Sequence, residues 1–506
     1  MGTARATAKR PRSMPNLLGS TLLGALLPGL GLIIGGRRRI GAFVLTLFLG
    51  LVGLGVYVGL TRRDEVLAAT VVPSRLLITS VAIGALAFVW IVVVVASHRS
   101  LRPATGGAGG RAFGALFVGL LCFAIAAPAA VGVQSVLAQR TLVQDVFQAQ
   151  GESKSATRPS TVNTKDPWEN KQRLNLLLLG GDDAPSREGV RTDTVIVASI
   201  DTRTGNTALI SLPRNLTFMP FPADSPLRRY YPDGFGKEGL SLDGRLEWML
   251  TAMYQNVPDA HPGILGPSDN EGADVLKQSV GEAIGLKLDY YLQVNLQSFP
   301  EIVDALGGIR VNVNERVAMG GVSSSHIPPK EWIEPGPDQH LDGRHALWFA
   351  RGRYGADDDQ RQVRQRCVIK SIVDAADPQT LVTKYKAIAR AGQHLLRTDI
   401  PQELLPAMVQ LALKVKSGTV SNVTLDSEKL RLKYLHPDYQ ALRDTVENAL
   451  ESTPPPTTTP TTTPPATPAA PASTRNPAAP TTTAPPGPTQ NLADACAYNP
   501  AGDQPN

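Results

Sequence analysis

Apolar and polar positions divide this chain into zones of different period. The first zone carries long apolar runs. Ile40–Leu60, Leu76–Ser97 and Ala112–Val133 each approach the roughly 20 residues that cross a bilayer as a helix. An earlier apolar stretch, Pro15–Gly36, is rich in glycine and broken by Pro28-Gly29. Proline removes a backbone donor and glycine loosens a helix, so this stretch is expected to be re-entrant or interfacial. Gln134–Gln150 then reads as a helical stalk and Gly151–Glu169 as a polar linker.

From Gln172 the periods shorten. Leu174–Leu179 is an apolar run ending in Gly-Gly-Asp-Asp, a buried strand entering a loop. Thr194–Asp201 and Thr207–Leu212 are strands joined across Thr204-Gly205-Asn206, as in a hairpin. The region 216–270 is a long excursion with one helix near Gly244–Tyr254. Asp274–Ile284 is an amphipathic helix, Tyr290–Val294 a strand, and Phe299–Leu306 a helix capped by Gly307-Gly308. Ile309–Val313 is a strand, His345–Ala350 and Gln362–Ala375 are helical, and Pro378–Lys416 holds two or three further helices. Strands alternating with helices predict an α/β fold, a central mixed sheet flanked by helices in an α-β-α sandwich.

The expected organisation is therefore a basic cytoplasmic tail (1–14), the broken apolar segment (15–36) and three transmembrane helices within 40–133 (40–60, 76–97 and 112–133). A stalk and linker (134–171), a folded domain (172–450) and a Thr/Pro/Ala-rich tail (451–506) follow. Such a tail cannot bury enough apolar surface to fold, so it is expected to be disordered.

Charge orients this plan. Arg5, Lys9, Arg10 and Arg12 precede the broken segment and Arg37, Arg38 and Arg39 follow it, while Arg99, Arg102 and Arg111 lie between the last two spans. With three spans, the positive-inside rule puts these clusters in the cytoplasm and everything after Val133 outside. Four spans would force one basic cluster to the wrong side. The net charge is only +6 and aromatic residues make up 6%, which gives nucleic-acid binding little support. Of three cysteines, Cys122 lies in a span; Cys367 and Cys496 are either a disulfide or two free thiols.

The chemistry lies between Leu174 and Gln365. Asp182 follows the first strand and Asp193 comes eleven residues later. Carboxylates after a strand suit Mg²⁺, though turn residues look the same at this level. Arg191, Arg214, Arg351, Arg353, Arg361 and Arg364 occur in short clusters beside apolar elements. Guanidiniums bind phosphate oxygens as planar forks, and carboxylates beside them suggest a divalent metal next to a pyrophosphate. A solvated face paired with Asp357, Asp358 and Asp359 is the alternative. No phosphate-loop or dinucleotide glycine motif and no Ser/His/Asp set is present.

Six segments in order resemble the LytR–CpsA–Psr family of extracytoplasmic glycopolymer transferases. They are LLLGGDD, RTDT, SLPRN, VDALGGIRVNV, LDGRHALWFARGR and DDQRQVRQ. The chain departs at Asn215, where the family has Asp, and at Gln360, where it has Gly. The resemblance implies a membrane-anchored phosphotransferase. It would move a glycopolymer, arabinogalactan or a teichoic-acid-like polymer, from a polyprenyl-pyrophosphate lipid to peptidoglycan, typically at the C6 hydroxyl of N-acetylmuramic acid. It also implies Mg²⁺ (or Mn²⁺) on Asp182 and Asp193, and pyrophosphate contacts from Arg214, Lys277, Arg351, Arg353, Arg361 and Gln365. Asp193, Arg191 and Asp358 are the expected catalytic set, with Asp193 and Asp358 as alternative general bases. A hydrolase of the same donor and a non-enzymatic envelope sensor or scaffold are the competing readings.

Overall fold

The computed structural model describes residues 14–101, 108–159, 163, 166–182, 191–296, 299–321, 327–355, 358–376, 396–432, 435–451 and 489–499. The chain divides into two compact units, Met1–Asp145 and Val146–Asn506.

The first unit is helical: α1 (Met14–Leu26), α2 (Leu30–Ile34), α3 (Arg38–Thr61), α4 (Arg63–Ala69), α5 (Pro73–Leu101) and α6 (Ala108–Val146). Three of these, α3, α5 and α6, are long and apolar enough to cross a membrane. Phe43, Ile78, Phe88, Leu116 and Phe123 lie exposed on them, which suits contact with lipid. The earlier apolar stretch breaks at Pro28-Gly29, where Gly29 has φ +99°. The chain doubles back there, so that a Cβ on Gly24 would lie 2.9 Å from Gly31 Cα. Small residues at this crossing let the two helices touch backbone to backbone.

The second unit is the α/β domain. A seven-stranded mixed sheet is built from β1 (Arg173–Asp182), β2 (Arg191–Asp201), β3 (Thr207–Leu212), β4 (Tyr290–Asn295), β9 (Leu396–Thr398), β10 (Val420–Val423) and β11 (Thr489–Asn491). Their order is β11-β10-β3-β2-β1-β4-β9, with β1/β4 and β3/β10 parallel. Strands β5 (Ile309–Val313), β6 (Val317–Met319), β7 (Glu331–Ile333) and β8 (Gly336–Leu341) form two small antiparallel pairs, β5-β8 and β6-β7. The helices are α7 (Leu242–Leu246), α8 (Leu250–Ala260), α9 (Glu271–Ile284), α10 (Phe299–Leu306), α11 (Gly343–Arg351), α12 (Asp358–Ala375), α13 (Leu405–Ser417), α14 (Tyr439–Glu451) and α15 (Leu492–Ala495).

Leucines run along β1 because both faces of the sheet are covered. Leu177 and Leu179 enter one core with Val195, Val197, Ile210 and the apolar faces of α8, α9 and α14. Leu178 points the other way with Ile196 and Leu292, as the period of two requires. A second core joins Val303, Ile309, Val311, Leu341, Ala346, Phe349 and Val368 from α10, β5, β8, α11 and α12. Asp342 starts α11 as its N-cap, its side chain accepting from the His345 N–H.

Three expectations change. The excursion has two α-helices, α7 and α8, and a short 3-10 helix at Pro226–Arg229, where one helix was expected. The linker is built into the domain: the single Ser155 O–H lies between Asp274 at 2.8 Å and Asp399 at 3.0 Å, and Ala156 N–H donates to Asp274 at 3.0 Å. The tail is not one unstructured segment, because Thr489–Asn491 pairs with β10 and Cys496 is disulfide-bonded to Cys367 of α12. Residues 452–488 and 500–506 lie outside the described residues, as does 377–395, where further helices were expected.

The disulfide closes a loop of 129 residues, which restricts the unfolded chain strongly. Cys367→Ala combined with Cys496→Ala is expected to destabilise the domain by about 2–5 kcal/mol. Thermal melts of the two proteins check this, and an unchanged Tm would deny the covalent link.

Candidate active site

The site forms where β1 and β2 end. Their register shifts between Gly180, paired with Thr194, and Gly181, paired with Thr192. Asp193 is therefore the extra residue of a β-bulge, and bulges re-aim side chains. A Cβ at Gly180 would sit 3.0 Å from Thr194 Cβ, so a larger residue here would have to displace the Thr194 side chain.

Asp193 forms an ion pair with Arg214, which follows β3. Arg361 Nη1 donates to the Asp193 carbonyl at 3.2 Å. Burial disfavours the ionised Asp193 carboxylate, but Arg214, Arg361 and Arg353 outweigh it and hold this carboxyl below the usual range.

These groups open into a cavity of about 330 Å³. Its polar end carries Asp193, Arg214, Arg351, Arg353, Arg361 and Gln365. Its walls are Leu178, Ile196, Leu292, Val294, Leu296, Phe299 and Leu347. Helix α12 supplies one whole side. Arg361, Gln365, Val368, Ile369, Ile372 and Val373 line the cavity at helical spacing. This face runs from a guanidinium to an amide to four aliphatic groups over about 18 Å. Four arginines and one carboxylate are among the lining residues, so guanidiniums predominate at the mouth. A larger cavity of about 540 Å³, lined by Arg173, Asp201, Arg443 and Glu447 among others, shares no residue with it.

Six of the expected residues thus come together. Arg191 does not line the cavity; it pairs with Glu247, whose carboxyl Asn256 and Arg191 hold low against burial. Lys277 is not a pocket residue. It is buried, with Nζ donating to Asp399 at 2.7 Å and to the Asp289 carbonyl at 2.8 Å. Its partner Asp399 is 122 residues away, beyond the reach of any local pattern. Arg364 turns from the cavity to the carbonyls of Phe349 and Gly352. The side chains of Asp182 and Asp358 lie outside the described residues. What sequence reasoning missed are the walls, above all Ile369, Ile372 and Val373. Their spacing from Arg361 was the available signal.

For a divalent cation the donor set fits in kind. Asp193 presents a carboxylate at the cavity, and Asp182 lies opposite Arg191 on the paired strand, at the same end of the sheet. Among the described residues no group of three or more metal-ligating side chains is present.

The fold and the cavity define an α/β protein that gathers guanidiniums and a carboxylate at the mouth of an apolar chamber. The chain belongs to the LytR_cpsA_psr family, whose model matches residues 139–451. Among its relatives is the polyisoprenyl-teichoic acid–peptidoglycan teichoic acid transferase TagU of Enterococcus faecalis. It is 28% identical over 273 residues, which is 53% of this chain and 72% of that protein. TagU of Bacillus subtilis is 24% identical over 320 residues, covering 61% of this chain and 86% of its own. The crystal structure of B. subtilis TagV is 20% identical with a TM-score of 0.37, covering 56% and 99%.

The folded state favours ionised Asp193. Its contribution to stability is complete above the unfolded carboxyl value, about 3.9, and is lost as pH falls through the lowered folded value. Arg214→Ala is expected to raise the Asp193 value and shrink that contribution. Carboxyl-carbon NMR titration of both proteins reads it directly; equal values in the two would sink the ion pair.

Proposed function

We propose that this protein is a cell-envelope phosphotransferase, anchored in the membrane by several helices with the α/β domain outside. It moves a glycopolymer from a polyprenyl-pyrophosphate carrier to a hydroxyl of peptidoglycan. The observation that carries this reading is the graded face of α12. One continuous cavity joins a cationic mouth to an aliphatic chamber, and the donor has the matching order of pyrophosphate and prenyl chain. The names of the TagU relatives, transferases from a polyisoprenyl-linked polymer to peptidoglycan, support the same class. The particular polymer is a finer matter, and arabinogalactan or a teichoic-acid-like polymer both suit this donor.

In the reaction the acceptor hydroxyl oxygen attacks the sugar-linked phosphorus. A phosphodiester bond forms, the bond to the bridging pyrophosphate oxygen breaks, and prenyl phosphate leaves. Arg214, Arg351, Arg353 and Arg361 hold the pyrophosphate and stabilise charge on the leaving phosphate. Gln365 donates its amide N–H to a phosphate oxygen. Mg²⁺ or Mn²⁺, held by Asp182 and Asp193, would supply charge neutralisation as a Lewis acid.

The hydroxyl proton needs a base. A good base has a pKa near the working pH. The arginines that lower the Asp193 value make it a weak base and a good partner for cations. That leaves Asp358, at the start of α12, as the other candidate base. The aliphatic end of the cavity takes the first part of the prenyl chain and excludes water from the phosphates.

Arg351→Ala and Arg353→Ala are each expected to slow transfer by about 10²–10³. The assay incubates full-length protein with labelled lipid-linked donor, with and without peptidoglycan sacculi. Label in the sacculi supports the reading. Free polymer released equally in both arms would identify a hydrolase instead. Ile372→Asp is expected to weaken donor binding at least tenfold, because it buries a charge where a chain should lie. Titration with geranylgeranyl pyrophosphate in detergent checks this, and unchanged affinity would remove the chamber from the donor site.

A further inference from the structure

We infer that Arg364 is a positioning residue that fixes the turn presenting Arg351 and Arg353 to the cavity; this rests on the phosphotransfer reading above. Arg364 lies one residue before Gln365 on α12, yet its guanidinium is directed elsewhere. Nε donates to the Phe349 carbonyl at 2.8 Å, and Nη2 donates to the Gly352 carbonyl. Both acceptors belong to the C-terminal end of α11, where carbonyls lack partners within the helix.

The turn is held from two other sides. Gly352 N–H donates to the Trp348 carbonyl at 2.7 Å. Gly352 itself packs so tightly that a Cβ would lie 2.6 Å from the Ala318 carbonyl oxygen. Arg351 ends the helix and Arg353 follows the glycine, so both guanidiniums leave the same clamped turn toward the cavity. Arg364 is on the helix that supplies Arg361 and Gln365. Its fork therefore fixes the distance between the two arginine sets, one on α11 and one on α12. A planar fork can satisfy two carbonyls at once, and an ammonium cannot reproduce that geometry.

The consequence is a split in kinetics. Removing the fork leaves every cavity charge in place, so the donor is still attracted. The arginines are no longer held where the transition state needs them, and a shift of about 1 Å can cost up to 10²-fold in rate.

The test uses full-length protein in detergent. Arg364→Met is expected to speed amide hydrogen exchange in residues 350–355 at least tenfold without any ligand. With a synthetic prenyl-pyrophosphate-linked oligosaccharide and sacculi, kcat should fall about tenfold or more while KM changes less than threefold. Arg364→Lys keeps one donor and should recover part of both. It also carries the test if Arg364→Met does not fold. Unchanged exchange overturns the clasp. Faster exchange with unchanged kcat overturns the positioning role. A KM rise that matches the kcat loss makes Arg364 a donor-binding group and also overturns it. If Arg351→Ala is equally without effect on transfer, the proposed reaction falls, and the positioning role with it.

Discussion

The structure of this domain depends on keeping four guanidiniums together at the mouth of an apolar chamber. Two like charges 4 Å apart repel by about 4 kcal/mol at an effective dielectric of about 20. Part of the domain's answer is the Asp193 carboxylate and backbone carbonyls. Asp193 sits at the bulge of β2, pairs with Arg214 and draws on Arg353 and Arg361 at longer range. Arg361 also meets the Asp193 carbonyl. Among the residues lining the cavity, guanidiniums outnumber carboxylates, a composition that suits an anionic group.

The sheet explains why such a mouth can adjoin a greasy chamber. On β1, β2 and β4 the residues of one parity enter the core with α8, α9 and α14, while those of the other parity line the cavity. A strand that is apolar on both faces usually means two packed layers. Here the second layer stands off from the sheet along part of its length, and the gap is the cavity. The glycines at the end of β1 and the bulge at Asp193 convert the last turn of that apolar ladder into a polar rim.

Much of this was legible in the sequence, and for physical reasons. The strands at Thr207–Leu212 and Ile309–Val313 and the helix Phe299–Leu306 have the predicted bounds, because each has an unbroken period and a turn or cap at its end. Arg214, Arg351, Arg353, Arg361 and Gln365 meet at one cavity because each lies beside an element whose apolar face anchors it. Several of the differences come from contacts over long sequence distances. Lys277 has the helical position of a ligand, but Asp399 claims it in the interior. The polar composition of 151–159 says linker, yet Asp274 collects its hydroxyls and N–H groups. Asp193 and Arg191 are two residues apart, but the bulge sends them to different partners.

The end of the chain shows the same principle acting on the site helix. The segment 489–499 has too little apolar content to fold by itself, and composition gives it no strand. It is nevertheless held in three ways. It pairs with β10, it is bonded to Cys367, and it lies against β5, where Asn312 Nδ2 donates to the Cys496 carbonyl at 2.9 Å and Asn314 Nδ2 to that of Ala497 at 3.1 Å. Cys367 is two residues beyond Gln365 and one before Val368, at the boundary between the cationic and aliphatic parts of α12. A helix with one face on a cavity has fewer packing neighbours than one that is fully buried. Each tether on its other face therefore matters more to its position. The covalent link and the asparagine contacts supply what the cavity removes, so the price of an open chamber is met on the far side of the same helix.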